Sequence, residues 1–236
     1  MISYPRDRQP EWMDPPGLDE SLHRPALSGL RTINRLSRGA AVFWPEIRRL
    51  AASVPRRPLT LLDLGCGGGD VVVALALRAA ARGVSLRIDG CDLSESAVRF
   101  AREHAASRNA SNVNFFVQDA LRTSPGGQYD VVMCSLFLHH FDDTDAVILL
   151  RRMRKSARRR VLVQDLRRTR LGYGLAWLGC RLLSRSPVVR NDGPLSVHAA
   201  FTPAEAQALA QRAGLVGVRV QLHWPQRYLL VGCLPS

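Results

Sequence analysis

Residues 61–76 read LLDLGCGGGDVVVALA. Asp63 lies near the end of a short apolar run, Gly65, Gly67, Gly68 and Gly69 crowd around Cys66, and Asp70 opens a second apolar stretch. A strand, a tight turn and a helix have this pattern, and the glycines let the backbone turn sharply and come close to a ligand. The acids narrow the choice of ligand. A dinucleotide turn of the form G-x-G-x-x-G that starts at Gly65 needs its third glycine at position 70, where Asp70 stands. A carboxylate at a helix N-terminus takes the place of a pyrophosphate and repels one. The phosphate loop G-x-x-x-x-G-K-[ST] is also excluded, because the only lysine in the chain is Lys155. The turn suits an adenosyl ligand that carries a cationic amine or sulfonium and no phosphate, a description that S-adenosylmethionine meets.

Two further acids fall after successive strand-like runs. Asp92 follows LRIDGC, 23 residues beyond Gly69, where an acid at the tip of a second strand accepts hydrogen bonds from ribose hydroxyls. Asp119 follows NFFVQ, within reach of an adenine edge. Either could instead cap the next helix, but three acids placed after three consecutive strands favour a ligand.

The elements that must position these groups are legible in the pattern. Strand candidates lie at 59–64, 86–91, 113–117, 129–134 and 160–165, with helical stretches between them. Right-handed crossovers of this kind imply a parallel sheet covered on both faces. Before the sheet, residues 1–25 read as a weakly regular arm. Residues 25–53 read as two helices, the second starting near Trp44-Pro45, and 54–58 as a linker. After 165 the alternation breaks in an insertion. Thr202, Pro203 and Glu205 then open a helix that ends at Gly214, and two strands through Pro225 form an antiparallel hairpin. The domain reading is an arm with lid helices over 1–55, then one domain over 56–236 with a cap insertion at 167–201.

LLDLGCGGGD, IDGCDLSESAVRFAREHA, NFFVQDAL and YDVVMCSLFLHHFDD resemble the successive motifs of the class I S-adenosylmethionine-dependent methyltransferases. FTPAEAQALAQRAGL is similar to the late helix of small-molecule members, those of quinone biosynthesis and those associated with polyketide synthases in secondary metabolism. The resemblance implies a Rossmann-like α/β three-layer sandwich whose seven-stranded sheet is mostly parallel with the last strand antiparallel. It implies Gly65, Gly67 and Gly69 under the cofactor's methionine moiety, Asp63 near the same turn, Asp92 on the ribose and Asp119 with Ala120 near the adenine, with Cys66, Leu93 and Ser135 also among the cofactor-binding residues. It also implies methyl transfer to a small phenolic, quinol or polyketide-like oxygen or carbon.

A sulfonium methyl is already activated, so the protein must hold the acceptor in line and help remove its proton. His139 and His140, just after strand four, are the candidates, with a pocket-wall role as the alternative for each. Asp165 and His198 are further candidates. Arg167, Arg168 and Arg190 would bind an acidic acceptor or lie on the solvated surface. The N/D-P-P-Y/F run that holds a flipped base is absent after strand four, which favours a small molecule over a nucleic-acid base.

The composition of 236 residues includes 33 Lys and Arg against 20 Asp and Glu, a net charge of +13. That excess leaves open an RNA substrate or a non-catalytic binding protein on the same fold. The run RRMRKSARRR at 151–160 is the best polyanion patch and is expected on the C-terminal part of a helix. LGYGLAWLGCRLL reads as a cover helix or as an interfacial helix in peripheral contact with a membrane. The five cysteines are scattered without a CxxC pair, so neither a disulfide framework nor a metal site is expected from spacing. The polar, proline-rich start and the lack of a long apolar run suggest a cytoplasmic protein.

Overall fold

In the computed structural model the described residues are 4–15, 17–54, 56–123 and 128–235. Residue 55 of the expected linker and residues 1–3 and 16 of the expected arm lie outside them. Seven strands form one sheet in the order β3-β2-β1-β4-β5-β7-β6. They are β1 (Leu59–Leu64), β2 (Leu86–Asp92), β3 (Val113–Val117), β4 (Tyr129–Ser135), β5 (Ala157–Leu166), β6 (Val216–His223) and β7 (Arg227–Cys233). β1 pairs in parallel with β2 and β4, while β7 runs antiparallel to both β5 and β6. The α/β sandwich and its reversed last strand match the expectation.

The period-two pattern of β1 builds two cores. Leu59 and Leu61 face one side, with Phe43 and Ile47 of α2 (Gly39–Ala52) and Val72 and Leu75 of α3 (Asp70–Ala80). Leu62 and Leu64 face the other, with Leu149 and Leu150 of α5 (Asp143–Ser156) and Leu209 of α8 (Pro203–Arg212). Several helices start where the sequence supplies side-chain acceptors. Ser94 caps α4 (Glu95–Ser107), Asp142 caps α5, and Thr202 with Glu205 closes a reciprocal capping box on α8.

The structure departs from the sequence reading in three places. α1 spans Glu20–Leu36, so the arm gives way to helix earlier than expected, with Asp19 as cap and Pro25 inside. α2 begins at Gly39 and not at Trp44-Pro45, because Arg38 in the left-handed region breaks the chain direction and Pro45 falls inside the helix. The arginine run does not stay helical: α5 ends at Ser156, and Arg158, Arg159 and Arg160 lie on β5. The insertion folds as two helices, α6 (Arg170–Leu183) and α7 (Pro187–Ala199).

Part of the arginine excess has structural work. Arg57 forks onto both carboxylate oxygens of fully buried Asp130 at 2.5 and 2.6 Å, and Arg159 adds a 3.4 Å ion pair. Thr60 donates to the same carboxylate from its amide and its hydroxyl. Burial alone would raise the Asp130 carboxyl, but the Arg57 and Thr60 hydrogen bonds outweigh it and hold the group well below the usual range. A carboxyl depressed in the folded state stabilises above its unfolded value near 4 and loses that contribution as pH falls through the folded value. Asp130→Asn should therefore cost about 2–3 kcal/mol at pH 7, and the gap to wild type should narrow progressively below about pH 4. Urea unfolding at several pH values checks both; a gap that does not change with pH would remove the charge from the account.

Candidate active site

The carboxyl ends of β1, β2, β3 and β4 open onto a cavity of about 630 Å³, a size suited to a small ligand. After β1 the chain enters the left-handed region at Gly65, Gly67 and Gly69. At Gly65 an added Cβ would collide with the Phe137 ring. At Gly69 it would meet Phe115 and Ala101 below 3 Å. Gly67 differs: the nearest atom is a Leu27 methyl at 4.0 Å, so a side chain there would project into free space. A cradle of this kind admits a ligand against bare backbone.

The turn is tied to the tip of β2. Cys66 donates its amide to the Cys91 carbonyl at 2.9 Å, and Gly67 donates to Asp92 Oδ2 at 2.8 Å. Ser94 donates to Asp92 Oδ1 at 2.9 Å. Asp119 accepts the amides of Leu121 and Arg122 through Oδ1, which closes a turn after β3 rather than capping a helix, while it also faces the cavity.

Of the residues singled out in the sequence, Gly65, Cys66, Gly67, Asp92, Leu93, Asp119, Ala120, Ser135, His139 and His140 line one cavity. Asp63 and Gly69 are not among its lining residues. Asp63 follows Leu59 and Leu61 in phase and is buried beneath the turn, with Oδ1 unpartnered. Burial, with Asp70 and Asp92 nearby, pushes its carboxyl well above the usual carboxylate range. The sequence reading set Asp63 near the glycine turn as a cofactor-binding acid; in the structure it is buried and off the cavity wall.

Ser135 donates to Gln164 Oε1 at 2.7 Å, and Leu136 then takes φ 52, rare for a branched side chain. The kink starts a short 3-10 turn, Leu138–His140, that brings both histidines to the cavity. His139 is 2% exposed, with Nδ1 at 2.7 Å from Asp165 Oδ1 and its amide donating to Asp165 Oδ2 at 3.0 Å. Burial would raise the Asp165 carboxyl, but the charge and hydrogen bond of His139 outweigh it and lower it. His140 Nδ1 lies 2.8 Å from Asp14 Oδ1.

The arm supplies residues that no motif announced. Arg6 donates to the carbonyls of Ala199, His139 and Phe141, and Asp192 accepts the amides of Trp12 and Met13. These bonds bring Glu11 to the cavity, with Oε1 accepting from Ser196 Oγ at 2.7 Å and 3.6 Å from His139 Nε2. Burial pushes the Glu11 carboxyl up to about 7. Glu11 is 128 positions before His139, so spacing along the chain carries no signal of it. α1, α6 and α7 complete the wall with Leu30, Ile33, Leu175, Ala176 and Val197.

Other candidates take structural roles. Arg168 is buried, paired with Glu205 at 2.7 Å and donating to the carbonyls of Tyr4 and Ala200. Arg190 donates to the carbonyls of Ser184 and Arg181, and the Arg167 amide donates to Gln226. The His198 ring packs between Tyr4 and Tyr173, outside the cavity wall. The cysteines are all free thiols, and among the described residues no helix is long and apolar enough to cross a membrane.

A family model described as a methyltransferase domain matches residues 61–160. The chain is 32% identical over 174 residues to the ubiquinone biosynthesis O-methyltransferase of Thiobacillus denitrificans, covering 72% of this chain and 70% of that one. It is 30% identical over 205 residues to the enzyme of the same name from Bordetella parapertussis, covering 86% and 75%. Its fold is similar to that of magnesium protoporphyrin IX methyltransferase from Synechocystis PCC 6803, at a TM-score of 0.63 and 19% identity over 92% of this chain and 97% of the other. The glycine cradle tied to Asp92, the sheet order and these similarities together place the chain in the class I S-adenosylmethionine-dependent methyltransferases, homologous to the ubiquinone biosynthesis O-methyltransferases.

Proposed function

We propose that this enzyme methylates a hydroxyl oxygen of a small, largely apolar acceptor of phenolic, quinol or polyketide-like type. The observation that carries the reading is that one continuous cavity joins the glycine cradle to an apolar chamber under α1, α6 and α7, with His139, His140 and Glu11 on its wall. S-adenosylmethionine supplies an activated methyl group on a sulfonium. The chain's own contribution is positioning and proton removal. Gly65, Cys66 and Gly67 would hold the methionine end, Asp92 and Leu93 the ribose, and Asp119 and Ala120 the adenine. The His139–His140 turn would activate the acceptor hydroxyl, with Asp165 fixing the His139 ring. Oxygen is favoured over carbon because a hydroxyl proton is what a His/Glu cluster of this kind is suited to remove, and because the relatives are O-methyltransferases.

Charge on the cavity wall supports a small molecule over RNA. Among the described lining residues the arginines are Arg8 and Arg227, against Glu11, Asp14, Asp70, Asp92, Asp119 and Asp192. A wall of that sign disfavours a polyphosphate strand at the mouth. The outer face of α6 exposes Leu171, Trp177, Leu178 and Leu182, with Arg181 stacked 4.0 Å from the Trp177 ring centroid. An amphipathic face of that kind suits an apolar acceptor, and it is the surface that the peripheral membrane contact read from the sequence would use.

The reading is tested by incubating the purified protein with S-adenosylmethionine and a panel of phenols, catechols and quinols, following S-adenosylhomocysteine release by mass spectrometry. An O-methylated product with at least one panel member is expected; methylated RNA with no small-molecule product would overturn it. Asp92→Ala should lose about 1–3 kcal/mol of S-adenosylhomocysteine affinity by calorimetry, and unchanged affinity would take Asp92 out of the site. His139→Gln should slow turnover at least about 100-fold while leaving S-adenosylhomocysteine affinity within about twofold of wild type. Equal turnover would put acceptor activation elsewhere.

A further inference from the structure

The start of β5 gathers arginines, and the fold explains only some of them. β5 pairs Arg160 with Val131 of β4 on one side and with Cys233 of β7 on the other. That register brings Asp130 up to Arg159, and the chain leaves β7 alongside Arg159 and Arg158. Arg158, Arg159 and Arg160, with Leu234, Pro235 and Arg49, Leu50 and Ser53 from the end of α2, line an open groove of about 480 Å³. Asp165, which holds His139, lies at the other end of β5, about 23 Å along the strand from Arg158. The groove is therefore separate from the cavity that contains the glycine cradle.

Two carboxylates lie at its border. Glu46 takes Arg49 at 3.0 Å and Arg219 at 3.5 Å, while Asp130 takes Arg57 at 2.5 Å and Arg159 at 3.4 Å. The C-terminal end of α2 adds a partial negative charge that favours cations beside it. Arg158 and Arg160 are left over. Among the described residues neither has a carboxylate partner; they donate to neutral acceptors, Gln128 at 3.4 Å and the Arg159 carbonyl at 2.8 Å. Arg160 Nε is buried with no hydrogen-bond partner, which is costly for a charged group. Six guanidinium groups around two carboxylates repel one another, and an anion seated among them relieves that repulsion.

The lining decides between two kinds of anion. A single nucleic-acid strand is held by aromatic rings on which successive bases stack within a basic channel, and among the described residues no aromatic side chain lines this groove. A compact oligophosphate needs only forked guanidinium donors, which engage phosphate oxygens in pairs, and a concave space of this volume holds a small ligand. We propose that Arg49, Arg158, Arg159 and Arg160 bind a small oligophosphate, free or carried on a nucleoside, at the end of the sheet remote from the glycine cradle. Leu50, Leu234 and Pro235 give the groove an apolar side against which a nucleoside would rest. No bond forms or breaks there, and the site stands independently of the hydroxyl-acceptor reading above.

The test titrates the full chain, already saturated with S-adenosylhomocysteine so that the adenosyl site is filled, with sodium tripolyphosphate and separately with ATP. Calorimetry at low salt should show one oligophosphate per chain, with affinity falling as salt is added. The double variant Arg158→Ala, Arg160→Ala should weaken tripolyphosphate binding at least about tenfold, through lost hydrogen bonds to a charged ligand. Arg108→Ala removes an exposed arginine at the end of α4, beside the opposite edge of the sheet, and should leave binding unchanged. S-adenosylhomocysteine affinity, measured on every variant, reports that the fold is intact. Tighter binding of ATP than of tripolyphosphate assigns the apolar side to a nucleoside, and equal binding assigns the groove to phosphates alone; either supports the site. No stoichiometric uptake of either probe by wild-type chain overturns it. So does an equal loss in Arg108→Ala and the double variant, which would mark binding to the general positive surface. A single-stranded oligoribonucleotide that binds more tightly than both probes and displaces them would overturn it in favour of nucleic acid.

Discussion

The Asp92 carboxylate holds the first glycine turn against the tip of the second strand, accepting the Gly67 amide with one oxygen and the Ser94 amide with the other. A glycine-rich turn gives up much conformational entropy on ordering, and a charged acceptor bonded to its middle amide is a direct way to fix it. The same carboxylate is on the cavity wall, so the group that shapes the cradle also faces whatever the cradle holds. Phe137 packs over Gly65, and Phe115 and Ala101 pack under Gly69, which leaves Gly67 as the turn glycine open to a ligand. Rigid backbone and a fixed acid together make a preorganised site on the sheet, with little left for binding to organise.

The second half of the site is built differently. It is assembled from the N-terminal arm, the turn after β4 and the insertion helices, and no one of these is complete alone. Arg6 bonds three carbonyls from two elements, Asp192 takes two consecutive arm amides, and Ser196 fixes Glu11. Arg168, buried between the arm, α8 and the chain before it, bonds Tyr4, Ala200 and Glu205 together. Such charge-assisted bonds to backbone carbonyls hold a segment that has little regular structure of its own. The apolar half of the cavity is therefore closed by the same bonds that deliver Glu11 to the histidines.

The arginine excess, which from composition alone suggested a polyanion, divides on the structure. Arg57 and Arg159 serve Asp130, Arg6 and Arg168 serve the arm, and Arg190 serves the carbonyls at the end of α6. Others, such as Arg122, are exposed. The cavity itself carries more acids than arginines, so the sign of the whole chain and the sign of the site differ. Net charge is a sum over the surface, whereas recognition depends on the local field.

The sequence by itself determined the alternation of strands and helices, the glycine turn, the acids after β2 and β3, and the histidines after β4. Each depends on neighbours within a few residues, through side-chain period, caps and turn chemistry. Spacing along the chain could not show that Asp63 is buried away from the cavity, since both phases of β1 are apolar and only packing on both faces decides it. Nor could it show that helix gives way to strand within the arginine run, where pairing of β5 with β4 and β7 outweighs local helical preference. The tertiary structure alone decided that Glu11 meets His139, that Asp165 stands behind the ring, and that α6 and α7 roof the chamber. Contacts that close this part of the site join residues up to 193 positions apart, as Arg6 and Ala199 are, and only closure of the whole core specifies them.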